Sequence, residues 1–246
     1  MFTNVYILFG FLLLFCSVGT SKRFPSYIKK CHQSDPHIKH CCIKALDSVK
    51  QHFANGIPEF GFPPMNPLVI PEISLDSDNS FKAAFKNVTI FHLDTLEVKD
   101  INFNLQENRF ELKIFFPHLR ISSIYNIQGK ILFLQLDGHG PADGNLTGVD
   151  ADVTLQAQRY KKGNNEHLKF STMEIDEKVH KAIFKFEGLF RNNPELTEQT
   201  NKILNENIDE ILQELRPSIH LAIKQTVLGL ISRLFEKFSV KELFPE

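Results

Sequence analysis

The sequence predicts an α+β fold in which a long C-terminal helix is wrapped by a highly curved antiparallel sheet. Three observations carry that reading. Between residues 194 and 238 apolar side chains recur at steps of three and four, with Glu, Gln, Asn, Lys and Arg on the opposite face, the period of one helical stripe. Between residues 73 and 190 the period becomes two: Val149, Ala151, Val153, Leu155 and Ala157 alternate with Asp150, Asp152, Thr154 and Gln156, as in a strand with one face in water. That parity slips by one residue between Val98 and Ile101 and again between Phe116 and Leu119. A one-residue slip turns the inward face outward unless a bulge absorbs it, and bulges bend strands.

The helix has clear boundaries. Pro194 suits a first turn, where its missing N–H would have no partner, and Glu195 and Glu198 follow at the positive end of the dipole. An unbroken helix to residue 238 would reach roughly 65 Å, so a kink or break is expected at residues 215–217, where Pro217 removes a backbone bond. A stripe of this length cannot bury itself, and the alternating region must wrap it.

At the other end, residues 5–18 are apolar and uncharged, too short for a bilayer span of about 20 residues. Ser17 and Gly19 then stand at the minus-three and minus-one places of a signal-peptidase site. Residues 1–19 are expected to be a signal peptide, and residues 20–246 a single secreted, extracellular domain with no integral membrane segment. An oxidising route favours a bridge from Cys31 to Cys41 or Cys42. His32, His37 and His40 share that loop, but no structural zinc spacing appears and no metal is expected. Asp35 and Pro36 should open a short helix with Ile38, Cys42, Ala45, Leu46, Val49 and Phe53 inward, ended by Gly56. The five prolines of residues 57–71 read as an extended lead-in. Turn signals lie at residues 76–79, 107–108, 137–145 and 163–165, and sequons at Asn87 and Asn145 mark candidate glycosylation sites facing solvent.

Composition narrows function. Phe is abundant at 23 residues and Trp absent, while 28 basic and 29 acidic residues leave a net charge of −1. Such a chain has a large apolar interior and no electrostatic footprint for nucleic acid. No nucleophile elbow, His-Glu-x-x-His or Walker loop occurs. The glycine-rich run from Gly138 to Gly144 is interrupted by Pro141 and reads as a turn. An enzyme is unsupported, and no cofactor is expected.

A family resemblance sharpens this. The run FPSYIKKC ending at Cys31, the SDP at residues 34–36, the GIPE from Gly56, the PPMNPLVIPE of residues 63–72, the FKAAFKNVTI of residues 81–90, Asn201, the LNEN of residues 204–207, Glu214 and the closing ELFPE together resemble the insect takeout and juvenile hormone-binding protein family. Their order and spacing span nearly the whole mature length. The resemblance implies a tubular lipid-binding fold of the super-roll type, and a carrier with an internal tunnel for one terpenoid or fatty-acyl molecule. It also implies a Cys31–Cys41 disulfide, with Cys42 an addition. His92 replaces the glycine usual after the first signature strand, and Arg191-Asn-Asn-Pro194 stands where an Asn-Gly-Asp turn is typical. No cysteine follows Cys42, so the second bridge of the dedicated hormone binders cannot form, which points to the takeout branch.

The expected partner is therefore one small hydrophobic ligand, bound by a monomer. Helix residues expected on the tunnel wall are Ile203, Leu204, Ile208, Ile211, Leu215, Ile219 and Ile223. Sheet residues expected there are Phe103, Phe110, Leu112, Ile114, Ile131, Phe133, Val153, Phe184 and Phe186. The plainer reading is that all of these are closed core. The functional rival is an extracellular interaction protein working through its outer surface, with any bound lipid structural.

Overall fold

A computed structural model describes residues 24–77, 81–190 and 193–246; the expected signal peptide lies outside them. Helix α1 (Ile38–Phe53) is followed by strands β1 (Leu68–Ser77), β2 (Phe81–Phe91), β3 (Glu97–Asn104), β4 (Arg109–Ile131), β5 (Leu134–Lys162) and β6 (Asn165–Phe186). Helices α2 (Pro194–Glu206), α3 (Ile208–Lys237) and α4 (Val240–Leu243) close the chain. All neighbouring strands are antiparallel, in the order β1-β2-β4-β5-β6. β2 and β3 share one edge of β4, β2 along residues 120–129 and β3 along residues 109–115. The sheet curls into a half-barrel, and α3 packs along β1 and β6, the strands at the two ends of that order, closing the gap. The expected fold class is the observed one.

The pairing register shows where the sheet bends. One extra residue stands in β3 between Val98 and Asp100, as the parity slip requires, with others in β2 between Lys86 and Thr89 and in β6 opposite Gln156 and Ala157. Asn87, at φ 52, sits in the β2 bulge across from Pro71 of the edge strand, which has no N–H to offer. The slip expected to be a bulge between Phe116 and Leu119 is something else. Pairing there continues unbroken, Phe116 with Val149 and His118 with Thr147. The buried set instead changes parity in three strands at one level: from Phe110 to Leu119 in β4, from Ala142 to Val149 in β5, and from Met173 to Ala182 in β6. When neighbours reverse together, no residue need be left over. Gly148 supplies the left-handed backbone at that level, at φ 63, beneath the His180 ring.

Other sequence expectations move. The glycines of residues 138–144 are not a turn but lie within the first half of β5. A Cβ on Gly138 would stand 2.6 Å from the Leu189 Cα, and one on Gly144 2.5 Å from the Phe184 ring, so they admit close neighbours rather than a reversal. The true β4–β5 turn is Leu132 and Phe133. The long helix breaks at Asn207, not near Pro217, which lies inside α3. Asn207 Nδ2 donates to the Ile203 carbonyl at 2.8 Å, while its N–H is shared by the Ile203 and Leu204 carbonyls. At Pro217 the flanking residues hold the helix to both sheet edges: Ser218 Oγ donates to the Asp76 carbonyl of β1, and Arg216 to the Glu177 carbonyl of β6.

The N-terminal segment seals one end. Cys31 and Cys41 form a disulfide, and Cys42 is free and buried beside it. Burial first, then the Asp35 carboxylate, pushes the Cys42 thiol up to about 11, so it remains a protonated, small apolar residue. α1 packs on β3, and Asp35 Oδ1 accepts the His37 N–H before its first turn. Among the described residues, no helix is long and apolar enough to cross a membrane, and no group of three His, Cys, Asp or Glu side chains could hold a metal ion.

Candidate ligand-binding interior

The concave face of the sheet and the inner side of α3 enclose two apolar clusters. The first gathers Phe81, Ala83, Tyr125, Ile127, Ile131 and Leu136 from the strands with Leu204, Ile211 and Leu215 from the helices, and Phe186 and Ile219 pack against it. The second gathers Phe110, Val153, Leu155, Leu168, Phe170 and Met173, with Phe103, Leu112, Ile114 and Ile223 against it. Most expected wall residues thus fall into two groups rather than one continuous lining. Ile203, Ile208 and Phe184 are half-buried outside both groups, Phe184 stacked on Phe186 at 6.3 Å. Phe133 is misplaced: it stands 62% exposed in the β4–β5 turn, because the reversal comes earlier than the glycine-rich run suggested.

The two groups differ in how fully they close. In the second, Leu112, Ile114 and Ile175 of the strands and Ile223, Val227 and Ile231 of α3 are turned to the cluster yet only half-buried. The expected wall did not include Ile175, Val227 or Ile231, although Val227 and Ile231 lie on the apolar stripe of the helix. Leu168 and Phe170 followed by Met173 and Ile175 show a one-residue slip in β6, the signal that would have found its bulge.

Between the two groups the helix step from Ile219 to Ile223 carries a polar seam. His220 Nε2 lies 2.5 Å from Glu177 Oε2 on β6, and Arg216 Nε lies 3.2 Å from the other Glu177 oxygen. Above it, the free edge of β6 is paired by side chains. Asn201 accepts the Phe186 N–H and donates to the Phe186 carbonyl, and Asn205 does the same at Phe184, all at 2.7–2.8 Å. Two asparagines one helical turn apart therefore stand in for a further strand. Tyr125, 1% exposed, donates its hydroxyl to the Glu187 carbonyl at 2.7 Å. Burial, and next the Glu187 carboxylate, pushes this phenol up to about 12.

The outer face differs. A cleft of about 410 Å³ opens there, lined by Asn87, Ser122, Ser123, Ile124, Pro141, Ala142, Asp143, Lys185 and Glu187; none of the expected wall residues contributes. Of the two sequons, Asn87 is exposed. Asn145 is half-buried, its Oδ1 3.2 Å from His118 Nε2 and its amide donating to Asp143. His92 takes φ 69, the left-handed backbone that favours the glycine it replaces, with its N–H held by Asn66 Oδ1.

A curled antiparallel half-barrel closed by a long helix over an apolar interior defines the tubular lipid-binding class of fold. The family described as haemolymph juvenile hormone binding protein matches residues 11–245, and the chain belongs to that family. It is similar to the circadian clock-controlled protein daywake of Drosophila melanogaster, 24% identical over 240 residues that cover 93% of this chain and 91% of that protein. The Drosophila yakuba daywake is 22% identical, covering 92% and 90% respectively. Among solved structures, Epiphyas postvittana Takeout 1 superposes with a TM-score of 0.78 over 89% of this chain and all of that one, at 19% identity. That likeness shows the fold.

Proposed function

We propose that this protein is a secreted, monomeric, non-enzymatic carrier that encloses one small hydrophobic molecule, a terpenoid or a fatty-acyl lipid, between the sheet and α3. One observation carries the reading: Leu112, Ile114, Ile175, Ile223, Val227 and Ile231 are turned inward yet left half-covered by protein. Apolar surface of this kind is what a water-insoluble ligand would cover. Membership of a family named for juvenile hormone binding supports the same reading.

Each methylene withdrawn from water is worth about 0.8 kcal/mol, so a chain of about fifteen carbons gains roughly 12 kcal/mol gross. Association and ordering remove much of this, which leaves micromolar affinity or better. Solvent-facing Asn87 is the sequon best placed to carry a glycan, whereas a glycan on Asn145 would disturb its bonds to His118 and Asp143.

The test is native mass spectrometry of the protein purified from a secreting host, followed by organic extraction. A one-to-one lipid or terpenoid that exchanges with an added competitor is the expected result. An empty protein that also leaves an apolar fluorescent probe unbound would sink the carrier reading. The rival, a protein acting through its outer surface, draws on the outer cleft around Ile124 and Lys185; a bound lipid that never exchanges would favour it.

A further inference from the structure

The longest hairpin of the sheet ends in a turn that breaks two local rules at once. Ile131 pairs with Leu134, so the loop is only Leu132 and Phe133. Two-residue hairpin loops favour Asn-Gly, Asp-Gly or Gly-first pairs, because their central residues need φ above zero. Here Leu132 itself stands at φ 50, a region that bulky side chains rarely occupy. Both side chains also project into solvent, Phe133 at 62% and Leu132 at 37% exposure.

The turn is nevertheless held in place. The Leu132 N–H donates to Glu214 Oε2 of α3 at 3.3 Å. Directly behind it, Ile131, Leu134, Leu136 and Leu215 belong to the first apolar cluster. The exposed pair is thus the outward continuation of the apolar interior at that end. Strained backbone kept at one spot, with apolar groups displayed there, is a mark of function rather than of folding.

We propose that Leu132 and Phe133 form a tip that inserts into the apolar layer of a lipid surface, the point at which the ligand is collected or released. The carrying role rests on the function proposed above; the lipid contact does not. Area selects this occupant. A buried aromatic side chain covers 150–250 Å² at most, so the pair falls well short of the roughly 800 Å² per partner of a standard protein interface. Lys130 and Gln135 flank the pair and limit the patch. A lipid surface requires no complementary shape, and each apolar side chain gains simply by leaving water. Without a basic cluster in the loop, the attraction is apolar, and neutral lipid suffices.

The chain contains no Trp, so Phe133→Trp places a single, selectively excitable tryptophan at the tip of the full chain. With phosphatidylcholine vesicles its emission should shift to the blue and be quenched by an acyl-chain quencher, with little dependence on salt. Leu132→Asn combined with Phe133→Ser should lower the vesicle-bound fraction about tenfold or more, the weight of the apolar surface removed. Asn tolerates the left-handed turn better than Leu, so the melting temperature should hold or rise, and weaker binding could not be blamed on unfolding.

Emission indifferent to vesicles would overturn the proposal. So would a shift that follows protein concentration without vesicles, the mark of a second copy, or binding that needs anionic lipid and fails in salt. An apolar fluorescent probe then separates the two readings. Slower probe transfer from vesicles to the double variant, with normal uptake from dilute solution, supports the tip as the loading point. Transfer at the unchanged rate overturns that role. A protein that binds vesicles through Phe133 but never takes the probe would leave the lipid contact standing and remove the carrier.

Discussion

Tyr125 shows how much one buried polar atom contributes. Its hydroxyl meets the Glu187 carbonyl just beyond the last pairing of β6, so it fixes the chain as it leaves the sheet for α2. Tyr125→Phe keeps the shape and strands that carbonyl, which should cost about 1–3 kcal/mol, read as a lower melting temperature. The phenol also contributes to behaviour in alkali. Its folded pKa of about 12 lies above the ordinary 10.0, so the folded state holds the proton more tightly than the unfolded one. Its contribution is full below about pH 10 and lost as pH rises toward 12. Denaturation midpoints followed across that window should fall less steeply in Tyr125→Phe than in the parent. At this scale the sequence misled where a residue type has two uses. Gly138 and Gly144 read as a turn because glycine is the commonest turn residue, but here each makes room for a neighbour, Leu189 or Phe184, that only folding brings near.

At the scale of elements, the edge of β6 is the instructive case. Asn201 and Asn205 were legible as family positions, but not as strand mimics, because their partners at Phe184 and Phe186 belong to another element. Replacing both by Leu keeps helix propensity and removes four bonds to the strand. The edge should then open. Amide hydrogen exchange at Phe184 and Phe186 should accelerate, melting should fall, and the freed edge should promote concentration-dependent aggregation. Unchanged exchange at those two amides would show that α2 protects the edge by covering it alone. The helix break was misjudged for a related reason. Pro217 carries the strong local signal, yet Arg216 and Ser218 anchor the helix on either side of it to β6 and β1. Asn207 carries a weak signal and forms the break, since its own side chain can serve the Ile203 carbonyl. Local propensity lost to tertiary attachment in both places.

For the whole molecule, closure of a curled sheet by one helix was legible in outline. A stripe too long to bury itself and a sheet with parity slips have few other ways to combine. The division of the interior into two groups was not legible, since it depends on three strands reversing face together. It makes a specific expectation for binding. Ile223 is half-buried against the less closed group, whereas Ile211 is buried in the other. Ile223→Trp should therefore fill space a ligand would use and weaken binding of an apolar probe about tenfold or more, with melting little changed. Ile211→Trp should overpack its site and lower stability by about 1–3 kcal/mol. Equal binding by a folded Ile223→Trp protein would place the ligand elsewhere.

The shared reversal at Gly148 also has a bearing on how such chains can be recombined. Because β4, β5 and β6 change parity at one level without losing register, the two ends of the half-barrel carry patterns written in opposite phase. A chimaera joined at that level in all three strands to a relative whose strands reverse at the same level keeps every inward residue inward. A one-residue insertion or deletion at that level in a single strand would break the common phase and turn that strand inside out from that point onward.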